Sequence, residues 1–333
     1  MNMKIVFVSY YSGKNLRGVE TYVHELGSRL AEKNSVIVYQ SGPSPSETKF
    51  ETKQIDLPLH QFNRMVFEKI SSDTEFLVPT NGRLQSVLAK IWCLKHTKTK
   101  LIISGQSGPG IDDRANLWCF PDKFVALTKF QEQWANLANP FVSTSIIPNG
   151  VDINSFNPKV KPTEFDLPRP IILYVAALEP IKRHKLLIDA VSRTSASLLL
   201  VGSGSLLADL NLYGQKTLGN RFKIVSLPHD KMPGVYTACD LFTYPTSSFE
   251  SFGIAILEAL ASGLPVVATD DAIRREIVGN SGWFCHPEDP KDFSEKLNLA
   301  LSVNSEIKPV LQAEKYSWDV IAGNYQKLCA SLT

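Results

Sequence analysis

The sequence predicts an α/β protein of two doubly wound, parallel-sheet domains. Three observations predict it. Short runs rich in Val, Ile, Leu and Phe recur without polar alternation, as in strands buried on both faces. Amphipathic stretches of helix length fall between them, which is the pattern of βαβ units. The series occurs twice, and a proline-rich stretch separates the two runs.

In the first series the strand-like runs are 4–8, 35–39, 75–78, 100–104, 123–127 and 144–147. Helical patterns cover 20–32, 61–70, 83–96 and 130–137. Residues 148–170 carry prolines at 148, 158, 162, 168 and 170 with no helical periodicity, a linker composition. The second series has strands expected at 171–175, 197–201, 222–225, 241–244 and 265–268, with helices at 183–192, 253–261 and 292–301. A last helix, 318–331, has no strand after it. The expected division is 1–165, 166–315 and a terminal helix in 316–333. Two facing Rossmann-like domains of this kind leave a cleft. Ligands in such sheets bind at the carboxyl ends of the strands, so chemistry is expected in the loops after them.

Composition excludes several classes. The chain has 333 residues, 35 basic against 33 acidic, and is 44% hydrophobic. That is an ordinary globular balance, unlike a disordered, collagenous or disulfide-stapled chain. Cys93, Cys119, Cys239, Cys285 and Cys329 are odd in number and widely spaced, so they read as reduced core residues and point to the cytoplasm. None of His24, His60, His96, His184, His229 and His286 is paired at ligand spacing, and no metal site is expected. Asp270 and Asp271 follow a strand and read as a helix N-cap rather than a metal pair. The apolar run at Lys4–Val8 is too short for a signal peptide, and no segment approaches the roughly 20 apolar residues of a membrane span.

The segment Glu250, Ser251, Phe252, Gly253, Ile254 through Glu258 carries the most chemistry. Glu250 falls in the loop after a buried strand, Gly253 opens a helix, and Glu258 lies inside that helix among Leu257, Ala259 and Leu260. A carboxylate there needs hydrogen-bond donors or a cation. Sugar hydroxyls would serve, and so would a structural partner. The helix start offers free N–H groups to a phosphate or sugar oxygen. Lys182, Arg183, His184 and Lys185 form a basic run that is either a solvated helix start or a cation placed for an anion. Cations at a helix N-terminus oppose its dipole, which favours the anion.

With its two glutamates eight positions apart, the segment resembles the signature of the retaining glycosyltransferases of family 4, which have the GT-B fold. The resemblance continues over essentially the whole chain. Arg17, Gly18, Val19 and Glu20 resemble the family's Gly-Gly-x-Glu loop. Pro148, Asn149, Gly150, Val151 and Asp152 resemble its Pro-Asn-Gly-Val-Asp turn. Gly202 and Gly204 resemble its Gly-x-Gly turn, and Trp318 with the terminal helix resembles the segment that crosses back to the N-terminal domain.

The resemblance implies a role for each matching residue. Glu258 would accept from the ribose hydroxyls, and Glu250 would hold hydroxyls of the transferred sugar. Backbone N–H groups of Phe252–Ile254 would face the sugar and diphosphate. Gly18 would let the backbone approach the diphosphate, and Lys182 would neutralise it as it leaves. The base pocket is expected around Gly202–Leu206 and Leu227–His229. Ala177 stands where the family often has an arginine, five positions before Lys182, and Arg183 is a candidate substitute. Gln106, beside Ser107 in the loop after Ser104, stands where the family often has a histidine. It can hydrogen-bond the sugar but cannot act as a base. In the family's front-face mechanism the leaving phosphate takes the acceptor proton instead. Arg17 replaces the first glycine of its loop and either contacts phosphate or points into water. With these residues Asn149 completes the expected site.

The resemblance implies a metal-independent, retaining hexosyltransferase. It would use a UDP- or GDP-linked sugar as co-substrate, with no bound cofactor, and act on a glycan or lipid-linked acceptor in cell-surface polysaccharide or glycolipid synthesis. The acceptor would lie on the N-terminal side and the nucleotide sugar on the C-terminal side. Met1–Gly150 carries 17 basic against 13 acidic residues, and Lys90–Lys100 sets lysines beside Trp92. That is either an ordinary helix with a solvated end or a basic amphipathic helix lying on an anionic membrane, at the inner face of the cell membrane. No nucleic-acid partner is expected. A dehydrogenase would need Gly-x-Gly-x-x-Gly after the first strand, and the loop from Ser9 to Gly18 fails that pattern. A GT-B epimerase or phosphorylase, and a catalytically degenerate nucleotide-sugar-binding protein, remain as rival readings.

Overall fold

The computed structural model describes residues 2–14, 17–43, 48–247, 250–303 and 308–333. The chain forms two compact units, one of Met1–Gly150 with Trp318–Thr333 and one of Val151–Ser317.

The first unit runs β1 (Lys4–Val8), α1 (Gly18–Leu30), β2 (Ser35–Gln40), β3 (Glu51–Gln54), α2 (Leu59–Lys69), β4 (Phe76–Pro79), α3 (Gly82–Lys95), β5 (Lys100–Ser104), α4 (Ile111–Leu117), β6 (Lys123–Ala126), α5 (Lys129–Ala138) and β7 (Thr144–Ile146). The strands are parallel, in the order β3-β2-β1-β4-β5-β6-β7. Ile5 and Phe7 of β1 join one core cluster, while Val6 and Val8 join another. Successive strand residues point to opposite faces, so burial of both faces produces the unbroken apolar run. The polar edge strand β3, Glu-Thr-Lys-Gln, carries no such signal and is absent from the sequence reading.

The second unit runs β8 (Ile171–Val175), α6 (His184–Val191), β9 (Ser197–Val201), α7 (Leu207–Leu218), β10 (Phe222–Val225), α8 (Met232–Thr237), β11 (Leu241–Tyr244), α9 (Ile254–Ala261), β12 (Val266–Thr269), α10 (Ala272–Val278), β13 (Gly282–Cys285), α11 (Pro290–Ser302) and α12 (Pro309–Glu314). Its strand order is β10-β9-β8-β11-β12-β13, again parallel. Strand order therefore reverses between β8 and β11, the switch point where such sheets bind ligands. The last helix, α13 (Trp318–Leu332), belongs to the first unit, where Tyr325 and Tyr22 of α1 join hydroxyls at 2.9 Å.

The units divide at Gly150–Val151, not near residue 165. The proline-rich stretch lacks periodicity but is packed into the second unit. Val151 bridges to Ser317, the Thr163 N–H donates to the Gly234 carbonyl at 2.8 Å, and the buried Phe156 ring meets Tyr236 edge-on. All five cysteines are buried and unbridged. No helix among the described residues is long and apolar enough to cross a membrane.

Candidate functional site

The loops that leave β8 and β11 bring Lys182 and Glu250 together. After β8 the chain makes a 3-10 turn at Pro180–Lys182, and Arg183 then takes a left-handed conformation before α6. The Tyr174 hydroxyl donates to the Lys182 carbonyl at 2.9 Å, pinning that turn to the strand. Lys182 Nζ forms an ion pair with Glu250 Oε2, and both side chains are largely buried. The ammonium also lies 5.9 Å from the centre of the Tyr244 ring, within cation–π range. Lys182 is thus not a solvated lysine, and its counter-charge within the protein is Glu250. Arg183 pairs with Glu288 and reaches the Thr246 carbonyl at 3.4 Å.

Glu258 sits on α9 and is only 8% exposed. The Tyr236 hydroxyl donates to its Oε2 at 2.6 Å, and His229 Nε2 lies 3.5 Å from its Oε1. The partner that a buried carboxylate requires is therefore a tyrosine from α8. Burial, with the neighbouring Glu258 charge second, holds the Tyr236 phenol well above its usual pKa, so it stays a hydrogen-bond donor. Leu227, half-buried, lies in the same β10–α8 connection as His229. Gly253 precedes α9 at φ +99°, where a Cβ would stand 2.9 Å from the Tyr244 ring. A side chain there is strained on both counts. Ser251 and Ile254 are half-buried on either side of buried Phe252, and Phe249 lies outside the described residues.

Gly202 and Gly204 lie against the segment that leaves β8. The Ala176 N–H donates to the Val201 carbonyl at 3.1 Å and the Leu178 N–H to the Ser203 carbonyl at 2.9 Å. A Cβ on Gly202 would fall 2.0 Å from the Ala176 carbonyl oxygen. This Gly-x-Gly turn is demanded by backbone packing against Ala176–Leu178, whatever ligand it meets.

Arg274 is the residue that sequence reasoning missed. It is fully buried on α10. Its Nη1 donates to the Glu250 carbonyl at 3.1 Å, and its Nη2 donates to Thr246 Oγ1 at 2.7 Å and to the Ser247 carbonyl at 2.8 Å. One planar guanidinium thus grips both ends of the Thr246–Glu250 loop, a task for which its fork is suited. Asp271 caps α10 by accepting the Arg274 N–H at 2.9 Å, and Asp270 holds Arg275 by two bonds of 2.5 and 2.7 Å. Both carboxylates of the Asp270–Asp271 pair thus serve neighbouring arginines. The available signal was a charged arginine next to an N-cap, directly after a buried strand, where such a charge must find partners.

In the first unit, Arg17 is the N-cap of α1, and its N–H donates to Glu20 Oε2 at 3.2 Å. Gly18 is the first helical residue. Asn15 and Leu16 of the preceding loop lie outside the described residues. Gln106 and buried Asn149 face each other amide to amide, with reciprocal bonds of 3.0 and 2.9 Å. Gln106 Nε2 also reaches Ser104 Oγ at 2.9 Å, and Ser107 beside it is exposed. Arg17, Gly18, Gln106, Ser107 and Asn149 thus stand in the first unit, and the other expected site residues in the second.

Residues 156–315 match the family model described as glycosyl transferases group 1. The matched span holds Lys182, Glu250, Glu258, Tyr236 and Arg274. The chain is 28% identical over 190 residues to the sulfoquinovosyl transferase of Arabidopsis thaliana, covering 51% of this chain and 36% of that protein. It is 28% identical over 201 residues to the phosphatidyl-myo-inositol mannosyltransferase of Mycobacterium tuberculosis, covering 55% and 52%. The chain thus spans only a third to a half of these curated relatives. Anabaena HepE, solved in complex with UDP and glucose, superposes with a TM-score of 0.81 at 18% identity, over 99% of this chain and all of that one. The fold is that of the GT-B glycosyltransferases, two parallel-sheet α/β domains.

Proposed function

We propose that this protein is a retaining, metal-independent hexosyltransferase. It moves a sugar from a nucleoside diphosphate to a glycan or lipid-linked acceptor in polysaccharide or glycolipid assembly. The observation that carries the reading is the Lys182–Glu250 ion pair at the β8–β11 switch point, with buried Glu258 on the helix that follows. The group 1 match over the same span and the glycosyltransferase relatives support it.

The pair suggests how the sugar donor engages. Without ligand, Lys182 and Glu250 neutralise each other. When a nucleoside diphosphate sugar enters, the ammonium turns to the diphosphate and the carboxylate to hydroxyls of the hexose. Glu258, held by Tyr236, accepts from the ribose hydroxyls. At the transition state the bond from the anomeric carbon to the phosphate oxygen breaks, and the diphosphate gains negative charge. Lys182 stabilises that charge more than it stabilises the ground state, which lowers the barrier. The acceptor oxygen bonds to the anomeric carbon on the same face, and its proton passes to the departing phosphate oxygen. Arg183 takes a supporting electrostatic role in place of the arginine that is Ala177 here. The second unit takes the nucleotide sugar and the first unit takes the acceptor near Gln106 and Asn149.

The test is a transfer assay with UDP- and GDP-sugars and candidate acceptors, read by mass spectrometry, with the anomeric configuration read by NMR. A product with the configuration of the sugar donor supports the proposal. An inverted product overturns the retaining mechanism. Tight nucleotide binding without turnover on any acceptor overturns the enzyme reading in favour of a sugar-nucleotide-binding protein.

A further inference from the structure

The loop that leaves β5, Gly105–Gly110, carries Gln106 and Ser107 and is tied down by a buried polar network. Gln131 of α5 is fully buried. Its Nε2 donates to the Gly105 carbonyl at 2.6 Å and to Asp113 Oδ2 at 3.0 Å. Its Oε1 accepts the Leu127 N–H at 2.7 Å, so the orientation of this amide is fixed. Asp113 of α4 is fully buried as well. Its Oδ1 accepts from Asn116 Nδ2 at 3.2 Å, and the Gly108 N–H donates to the same carboxylate. Asn116 in turn accepts from Ser86 Oγ of α3 at 2.8 Å. Side chains of three helices thus converge on one carboxylate, which reaches the loop directly at Gly108 and through Gln131 at Gly105. The fit is close, since a Cβ on Gly105 would stand 2.3 Å from Gln131 Nε2.

Asp113 has three donors and no paired cation among the described residues. A buried carboxylate of this kind is costly to ionise, and burial raises its pKa to about 7 against the pull of its donors. The charged neighbour that adds to the rise is Asp112, which pairs with Arg83 of α3 at 2.8 Å. From α5 and the loop, Asp113 meets Gln131 and the Gly108 N–H, which carry no charge. Hydrogen bonds to an ionised carboxylate are about twice as strong as bonds between neutral groups. The loop is therefore held most firmly when Asp113 is ionised.

We propose that Asp113 is a positioning residue for the acceptor, whose carboxylate holds Gly105–Gly110 where Gln106 meets Asn149. Gln106 and Asn149 exchange bonds of 3.0 and 2.9 Å, which a shift of about 1 Å in the loop would break. The inference rests on the proposed transferase reading, in which the acceptor binds near these two amides. Asp113 is buried and acts only through the loop.

Asp113→Asn keeps the shape of the side chain and removes its charge. In the ligand-free chain, hydrogen exchange at the Gly105–Gly108 amides should quicken by roughly ten-fold, as for a segment whose local opening becomes easier. In the transfer assay the KM for the acceptor should rise by roughly ten-fold, while the KM for the nucleotide sugar stays the same. The wild-type acceptor KM should rise as pH is lowered from 8 to 6, with a midpoint at about 7, and the variant should lack that step. Equal acceptor KM in wild type and variant overturns the proposal, and so does unchanged exchange at Gly105–Gly108. A KM that rises equally for both substrates, with a lower melting temperature, marks a merely structural role and also overturns it. Should the variant not fold, the wild-type profile decides: an acceptor KM that is flat between pH 8 and 6 overturns the proposal. A wild type that transfers to no acceptor overturns the transferase reading and this inference with it, an outcome distinct from an active enzyme whose acceptor KM ignores Asp113.

Discussion

The Tyr236 hydroxyl donates a 2.6 Å hydrogen bond to Oε2 of Glu258, joining α8 to α9. The other oxygen, Oε1, lies 3.5 Å from His229 Nε2 and is the one that would accept from the ribose in the proposed function. Tyr236→Phe removes the hydrogen bond and keeps the ring. It should cost about 1–3 kcal/mol of stability, the usual range for a buried carboxylate that loses a partner. Nucleotide affinity should fall by roughly ten-fold, because the carboxylate is no longer aimed. Urea unfolding and isothermal titration calorimetry check the two effects separately.

Lys182 and Glu250 neutralise one another in the absence of ligand, so their substitutions should not add. Lys182→Ala leaves the Glu250 carboxylate largely buried without its cation, and Glu250→Gln leaves the ammonium without its anion. The double variant should be more stable than the sum of the single losses predicts by about 0.5–3 kcal/mol, the range for directly contacting residues. In turnover, Lys182→Ala should lower kcat by roughly 10²–10³-fold, as when one transition-state charge partner is lost. A double-mutant cycle in urea and a steady-state assay check both parts.

Arg274 acts through the loop it grips. Arg274→Lys keeps the charge but cannot reach the Glu250 and Ser247 carbonyls and the Thr246 hydroxyl from one rigid plane. It should raise the KM for the nucleotide sugar by roughly ten-fold or more while the fold survives, because Glu250 loses its position. Arg274→Ala should destabilise the second unit by about 3–5 kcal/mol, the range for removing one partner of a buried charged network. Steady-state kinetics and chemical denaturation distinguish the two.

His184, at the start of α6, is buried beside Lys182, and burial followed by that cation lowers its pKa from 6.5 to about 4. Between pH 4 and 6.5 the unfolded chain binds a proton at this residue and the folded one does not. Stability therefore rises with pH across that window and is lost as pH falls through it, by up to about 3 kcal/mol. His184→Phe should remove this slope, so wild type should lose stability relative to the variant as pH is lowered from 7 to 5. Urea midpoints at several pH values measure it.

Gly202→Ala would set a methyl group 2.0 Å from the Ala176 carbonyl oxygen. Backbone on both sides prevents relief, so a loss of at least about 2 kcal/mol is expected, comparable to overpacking a core. Thermal melting of the variant checks this.

The doubly wound pattern was legible because strands such as Lys4–Val8 and Ser197–Val201 are buried on both faces and written as continuous apolar runs. What escaped had no such signature. The edge strand Glu51–Gln54 is polar because one of its sides has no neighbour, and the linker packs through single residues such as Val151 and Phe156. Glu250 and Glu258 stood out because a carboxylate beside or inside an apolar helix must have a partner. The identity of that partner was not legible, since Tyr236 lies 22 residues away and meets Glu258 only through the fold. Arg274 was hidden for the same reason: the Thr246, Ser247 and Glu250 acceptors of its guanidinium are brought to it by the loop between β11 and α9.

The central claim is that the second unit binds a nucleoside diphosphate sugar through Glu258 and Lys182. The most direct measurement is isothermal titration calorimetry with UDP, GDP and ADP and their common sugars, on wild type, Glu258→Ala and Lys182→Ala. The account predicts one preferred nucleotide, with affinity reduced by roughly ten-fold or more in both variants. No heat with any nucleotide, or equal affinity in wild type and both variants, would contradict it.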